Sequence, residues 1–224
     1  MRARVAGLAL AAAVAAATTG CGLGLLQTAR TTDPGRIQTS LGMGVLENDM
    51  MLERGVAPEN LPVQVGVRVG VTEQLDLGAA LLLGAGGMVD AKYNLLSRSR
   101  RLAVSLQAGV GGAANVVGSS ASIVHVPLRA LVSRDLPAGV TPYGGVGYGC
   151  FWVFGYGNPV PGVRYAARTG TGDGVLMVTA GLQLFSNRRV HLLLEYDFWE
   201  PVVDDPGDFY EVARSHIVLA GLQF

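Results

Sequence analysis

The sequence predicts an all-β protein, a closed antiparallel barrel whose strands cross a membrane. Apolar residues make up 50% of the chain and charged residues only 15%, whereas soluble domains carry about a quarter charged residues. Beyond residue 20, no stretch approaches the roughly 18 apolar residues that a spanning helix requires. The apolar residues instead alternate with small or polar ones, which is the pattern of a strand. The chain therefore presents its apolar side chains on strands.

The alternation begins after Gly35 and recurs to the last residue. Each segment is close to the roughly nine to eleven residues with which a tilted strand crosses a bilayer. An eight-stranded barrel is the alternative, if the stretch 75–97 pairs differently. The ten predicted strands are approximately 36–45, 61–71, 75–83, 88–97, 101–112, 121–134, 140–154, 175–186, 190–200 and 212–224.

The two faces of each segment differ in character. Over 61–71 the odd-numbered residues are Leu or Val, whereas the even-numbered ones are Pro, Gln, Gly, Arg and Gly. A soluble sandwich or a soluble ligand-binding barrel would need many charged residues on its water-facing side. An apolar face toward lipid and a small polar face toward the interior fit the pattern better. A closed barrel also leaves no unpaired strand edge in the hydrocarbon.

The connections between the predicted strands alternate in length. Those after the second, fourth, sixth and eighth strands are short, and the others are longer on the whole. Outer-membrane barrels combine short periplasmic turns with longer external loops. With an even strand count, both termini are predicted to lie in the periplasm. The longest connections are about 46–60, 155–174 and 201–211.

The first twenty residues predict a secretory signal peptide. Arg2 and Arg4 precede an apolar run, and small residues lead to Cys21, which is the layout of such a signal. The Gly-Cys junction resembles the lipobox of bacterial lipoproteins, which implies acylation of Cys21; ordinary cleavage nearby is the alternative. Residues 21–34 are then a lipidated tether, and 35–224 the barrel. Only Cys150 remains as a second cysteine, so no disulfide framework is expected.

The end of the chain carries a further resemblance. Val218, Ala220, Leu222 and Phe224 alternate with their neighbours up to the last residue. This pattern is similar to the assembly signal of bacterial outer-membrane β-barrels, and the resemblance to that class covers about 35–224. It implies a location in the bacterial outer membrane, outer-membrane lipid as the surroundings and the barrel-assembly machinery as a partner.

Charged residues on the inward faces predict a network inside the barrel. Burying any one of them alone would be costly, so pairing is expected. Barrels of about eight to ten strands tend to be filled by side chains, which favours an ion-paired plug over a narrow selective pore. The predicted members are Arg36, Arg68, Lys92 and Arg129 with Asp76, Asp90, Glu195 and Asp197.

No enzymatic centre is predicted. His125 and His191 face inward but are expected at opposite ends of the barrel, and no G-x-S-x-G elbow is present. A lipid-modifying hydrolase is therefore the weaker alternative. No metal-ligand spacing and no cofactor motif stand out. The acidic residues of 201–211 are interpreted as a solvated loop rather than a calcium site.

The expected role is non-enzymatic, either envelope structure or interaction with a surface ligand through the loops 155–174 and 201–211. A small pore is the main alternative. The 17 cationic side chains balance the 17 carboxylates, so there is no basic excess of the kind that nucleic acid attracts.

Overall fold

A computed structural model describes residues 26–48, 59–83, 86–96, 100–114, 122–154, 173–186, 189–202 and 214–224. The predicted signal peptide, Cys21 and most of the loops 155–174 and 201–211 lie outside these ranges. None of the described residues forms a helix of the length and apolarity needed to cross a membrane. The strands are β1 (Ile37–Asn48), β2 (Glu59–Gly70), β3 (Leu75–Leu82), β4 (Gly86–Asn94), β5 (Leu102–Ala114), β6 (Ser122–Arg134), β7 (Val140–Phe154), β8 (Asp173–Leu184), β9 (His191–Val202) and β10 (Ser215–Gln223).

The ten strands form one closed antiparallel barrel. Each strand pairs with its neighbours in sequence, and β1 pairs with β10 to close the sheet. The predicted ten-stranded barrel is therefore confirmed, and the eight-stranded alternative is wrong. In the doubtful stretch 75–97, β3 and β4 pair with each other from Leu75↔Tyr93 to Leu82↔Gly86. Three residues suffice to connect them, as in a tight hairpin.

The predicted assignment of faces is also confirmed. In β2, Val65 and Val67 are exposed at 42% and 39%, whereas Gln64 and Arg68 are buried. The same alternation surrounds the barrel with exposed Leu, Val, Ile and aromatic side chains. Removing such a belt from water is favourable by about 25 cal/mol per Å² of apolar surface. The exterior is thus suited to lipid.

The two ends of the barrel differ. At one end, called the turn end, β1 begins, β10 finishes and the short connections 71–74, 95–101, 135–139 and 185–190 lie. At the other, called the loop end, the connections include the long segments 155–172 and 203–214. The predicted alternation of connection lengths is therefore present.

The interior of the barrel has two regions. The ion-paired side chains Arg68, Asp76, Asp90 and Lys92 lie on β2 to β4, and further buried polar side chains occur on β5 to β10. Against β7 to β10 lies an apolar cluster of eight buried residues. The sequence predicted small and polar residues throughout the interior, so this apolar region differs from the expectation. The cluster contains Leu26, Tyr143, Val175, Met177, Leu193, Trp199, Ile217 and Leu219.

Candidate functional site: the plugged lumen

Residues 26–32, here called the plug segment, lie inside the barrel. Leu26 and Ala29 are exposed by only 1% and 0%, and the polar members of the segment except Arg30 are also buried. The chain turns back into the lumen at the turn end, where Pro34 bridges Gly70 in parallel and Gly35 N donates to Gly70 O at 2.8 Å. This differs from the predicted tether over 21–34.

Lys92 on β4 holds the main chain of the plug segment. Its Nζ donates to the carbonyl oxygens of Thr28 at 3.0 Å and Arg30 at 2.6 Å. It also donates to Gln27 Oε1 at 3.2 Å. An ammonium group has three donor hydrogens, so these acceptors match its capacity. Arg68 NH1 donates to the same Gln27 oxygen from the opposite side.

Two carboxylates neutralise these cations. Asp76 Oδ1 accepts from Arg68 Nε at 3.1 Å, and Asp76 Oδ2 lies 3.6 Å from Lys92 Nζ. Asp90 pairs with Arg68 NH2. The backbone N of Thr32 donates to Asp76 Oδ2 at 2.8 Å, so the plug segment supplies both donors and acceptors to the group. Two cations and two anions are buried together, which avoids an uncompensated charge.

Leu26 fits a hollow in the wall formed by Gly42 on β1 and Gly221 on β10. A Cβ atom added at either glycine would overlap Leu26 Cδ1. Leu26 itself has a φ of 43°, a left-handed conformation that costs a non-glycine residue of order 1–2 kcal/mol. Burial against the apolar cluster offsets that cost. The wall therefore matches the shape of the plug segment as well as its charge.

The plug segment is also fastened at the turn end. Arg30 NH2 donates to the Arg100 carbonyl at 2.8 Å and forms an ion pair with Asp135. Thr31 Oγ1 donates to the Glu73 carbonyl at 2.9 Å. These contacts reach three different turns, so the segment is attached around the circumference of the barrel.

The predicted charged network is only partly assembled. Arg68, Asp76, Asp90 and Lys92 come together as described above. Arg36 was predicted to line the lumen, but it precedes β1 and is exposed. Arg36 lies just before β1, outside the part of the barrel that the strands enclose, so its position on the inward-facing side of the alternation did not bury it.

The remaining three predicted members, Arg129 on β6 and Glu195 and Asp197 on β9, are buried in the interior. Tyr143 OH donates to Glu195 Oε2 at 2.9 Å, and Thr179 donates to Asp197. Arg129 NH2 lies 3.3 Å from Met177 Sδ, a weak acceptor, while its Nε and NH1 have no partner among the described atoms. The inward face was predicted correctly for these three residues.

The two inward histidines lie at different places in the lumen. The His125 ring stacks on Phe151 with centroids 4.3 Å apart and an interplanar angle of 17°. His191 Nδ1 lies 2.5 Å from Gln183 Nε2 near the turn end. Their separation follows the prediction that they do not act together. Within the described ranges, no three His, Cys, Asp or Glu side chains are arranged to hold a metal ion.

The residues that the sequence reasoning missed are those of the plug segment. A signal for them exists in the inward glycines Gly42 and Gly221, which face each other in the register of β1 and β10. Facing glycines leave a volume that other atoms must fill, because protein interiors are close-packed. The strand sequences alone did not predict which residues occupy the space beside these two glycines.

The C-terminal pattern lies on the outside of β10. Val218, Leu222 and Phe224 are exposed at 57%, 40% and 51%, and Ala220 is exposed with them. The backbone of Phe224 closes the barrel by exchanging two hydrogen bonds with Thr39, at 2.9 and 3.1 Å. Recognition of this strand by the assembly machinery stays a prediction.

No protein-family model matches the sequence. No curated protein matches it either. Solved structures that are similar include Neisserial surface protein A, 13% identical over 84% of this chain and 94% of that one, with a TM-score of 0.41. The Yersinia pestis outer membrane protein Ail is 12% identical over 84% and 100%, with a TM-score of 0.37. The N-terminal β-barrel domain of Pseudomonas aeruginosa OprF is 10% identical over 84% and 97%, with a TM-score of 0.34.

The ten strands build a closed antiparallel β-barrel with an apolar exterior, the fold that the sequence predicted. Its distinguishing internal feature is the plug segment.

Proposed function

We propose that this protein is a non-enzymatic, non-conducting barrel of the outer membrane whose lumen is closed by its own N-terminal segment. It serves envelope structure or interaction with a surface ligand through its external loops. The observation that carries the proposal is the burial of residues 26–32 inside the barrel. The plug segment occupies space in the lumen beside the charged side chains of β2 to β4, where water would otherwise lie.

The contacts of the plug segment support a closed resting state. Lys92 donates to two of its backbone carbonyls, and Asp76 accepts from one of its backbone amides. Buried charged groups that lose such partners leave unsatisfied polar atoms, at a cost of about 1–3 kcal/mol for each group. Withdrawal of the segment is therefore opposed by several contacts at once.

The proposed orientation places the turn end in the periplasm and the loop end outside the cell. The short turns and the long connections 155–172 and 203–214 support this orientation, because outer-membrane barrels have short periplasmic turns. Surface ligands would meet the loops 155–174 and 201–211. Acylation of Cys21 remains part of the proposal, and incorporation of a labelled fatty acid, abolished by Cys21→Ser, would test it.

Single-channel recording from the full chain in planar bilayers tests the closed lumen. The parent is expected to be silent. Lys92→Met combined with Arg68→Met removes both cations that hold the plug segment, and this variant is expected to conduct. Arg129→Met is the matched control, because Arg129 is buried in the same lumen but makes no described contact with residues 26–32.

Steady conductance in the parent would overturn the closed barrel and support the rival small pore, with the charged residues as its lining. A hydrolase would be revealed by a change in lipid species when the parent is expressed. That change would have to be absent in a variant that keeps the fold but lacks an inward side chain such as His125.

A further inference from the structure

The two ends of the barrel carry opposite excess charge. Among the described residues, the turn end, with the segment leading into β1, contains six arginines and three acidic side chains, Asp33, Glu73 and Asp135. Within the described ranges, the loop end contains one arginine, Arg214, and four acidic residues, Glu47, Glu59, Asp173 and Glu200. The only lysine of the chain, Lys92, is in the lumen. The excess at the turn end is therefore carried by guanidinium groups alone.

The described arginines at the turn end are largely free to meet solvent or lipid. Arg36, Arg100, Arg101, Arg134 and Arg189 are exposed, and we call these five the arginine rim. They come from the start of β1 and from three different turns, so they are spread along the circumference. Arg30, which pairs with Asp135, is excluded from the rim.

Apolar side chains lie beside the rim and point outward. Leu102 follows Arg101 and is exposed at 42%, Leu136 is exposed at 41%, and Val190 follows Arg189 at 45%. Exposed apolar residues next to exposed arginines mark the level at which the hydrocarbon ends and the headgroups begin. The rim thus lies where lipid phosphates would be.

We propose that the arginine rim binds the phosphate groups of anionic phospholipids in the leaflet at the turn end. This proposal rests on the placement in a membrane that the proposed function includes. Guanidinium groups match phosphate geometry with several donors, whereas an ammonium group acts as a point charge. A soluble anionic partner would need one contiguous patch, and the circumferential spread with flanking apolar side chains instead fits a surrounding lipid leaflet.

The test is the association of spin-labelled lipids with the full chain reconstituted in phosphatidylcholine bilayers. Phosphatidylglycerol is expected to associate more strongly than phosphatidylcholine, by about fivefold at a headgroup held by one arginine, since an arginine near an anionic surface contributes about 1 kcal/mol. The preference is expected to weaken at high salt, because exposed charges are screened.

The informative variant replaces Arg100, Arg101, Arg134 and Arg189 by Gln, and its lipid preference is expected to fall toward one. The matched control replaces Arg54, Arg164, Arg168 and Arg214, none of which belongs to the connections of the turn end, by Gln. It removes the same charge without changing the arginine rim and is expected to keep the preference. Both variants leave the lumen unchanged, so their folded fraction can be verified by electrophoretic mobility without heating.

Three results would overturn the proposal. They are equal association of both lipids with the parent, an unchanged preference in the rim variant, and an equal loss in the control. Binding of the parent to soluble anionic polymers without any lipid preference would assign the rim to another partner and also overturn it. Failure of the closed lumen in conductance recordings is a separate outcome, because lipid preference does not depend on whether the lumen conducts.

Discussion

Lys92 Nζ donates a 2.6 Å hydrogen bond to the backbone carbonyl oxygen of Arg30, so a side chain of the barrel wall holds the main chain of the plug segment. Lys92 is the only lysine in the protein and is fully enclosed. A compact ammonium with three rotatable donors can serve several carbonyl groups at once. Because these backbone carbonyls accept hydrogen bonds from its ammonium group, Lys92 can be buried without two carboxylate partners of its own.

Replacing Lys92 by Met is expected to lower the free energy of unfolding by about 2–4 kcal/mol, because the carbonyls of Thr28 and Arg30 lose a charged donor and Asp76 loses an ion-pair partner. Urea unfolding in detergent micelles measures this change. Lys92→Arg keeps the charge and is expected to recover part of the loss. Equal stability of Lys92→Met and the parent would contradict the role of Lys92 in holding the segment.

Gly42→Leu is expected to displace the plug segment, because its side chain would occupy the space of Leu26 Cδ1. The single lysine provides the measurement. A water-soluble amine reagent should modify Lys92 in this variant but not in the folded parent, with the modified peptide identified by mass spectrometry. Adding Leu26→Gly should restore protection, since glycine frees the space and accepts the positive φ. Persistent protection in Gly42→Leu alone would show that the segment does not depend on this hollow.

The two buried arginines are expected to respond in opposite directions. Arg68→Met leaves Asp76 and Asp90 without their guanidinium partner and is expected to destabilise the barrel by about 3–5 kcal/mol. Arg129→Met removes a buried cation that has no carboxylate partner among the described residues, so the free energy of unfolding is expected to stay constant or rise. Unfolding midpoints measured side by side test the contrast, and equal destabilisation by both changes would refute it.

Arg30→Gln is expected to change the free energy of unfolding by less than about 1 kcal/mol. Its ion pair with Asp135 is partly exposed, with side-chain exposures of 25% and 37%, and exposed pairs contribute little. The plug segment would then remain seated, as amine labelling of Lys92 can verify. A loss comparable to that of Lys92→Met would mean that the turn end, rather than the lumen, anchors the segment.

Phe224→Ala is expected to separate assembly from stability. The two hydrogen bonds between Phe224 and Thr39 involve only backbone atoms, so the refolded variant should unfold at nearly the same urea concentration as the parent. In cells, its amount in the membrane is expected to fall, because the aromatic end of the last strand is the predicted assembly signal. Unchanged levels in the membrane would argue against that signal.

Strand positions and faces could be predicted because they depend on local order along the chain. Side chains alternate between the two sides of a strand, so the Leu and Val positions of 61–71 determined the lipid-facing side without knowledge of any partner. The same alternation in 75–97 predicted two strands, but their pairing was decided by the structure, in which β3 and β4 pair with each other. Arg36 shows the limit of this reasoning. Its place in the alternation predicts which face its side chain is on, but not that β1 begins only at the next residue.

The sequence by itself thus determined ten strands, an apolar exterior and the inward direction of Arg68, Asp76, Asp90 and Lys92. Only the tertiary structure decided that residues 26–32 occupy the lumen, because these residues have no periodicity and their contacts with Arg68, Asp76 and Lys92 are 41 to 65 positions apart in the chain. It also decided that Arg68, Asp76, Asp90 and Lys92 meet in one group. Two inward side chains can pair only if they lie at the same level along the barrel axis. That level depends on the register of the strands, which alternation along one strand does not give.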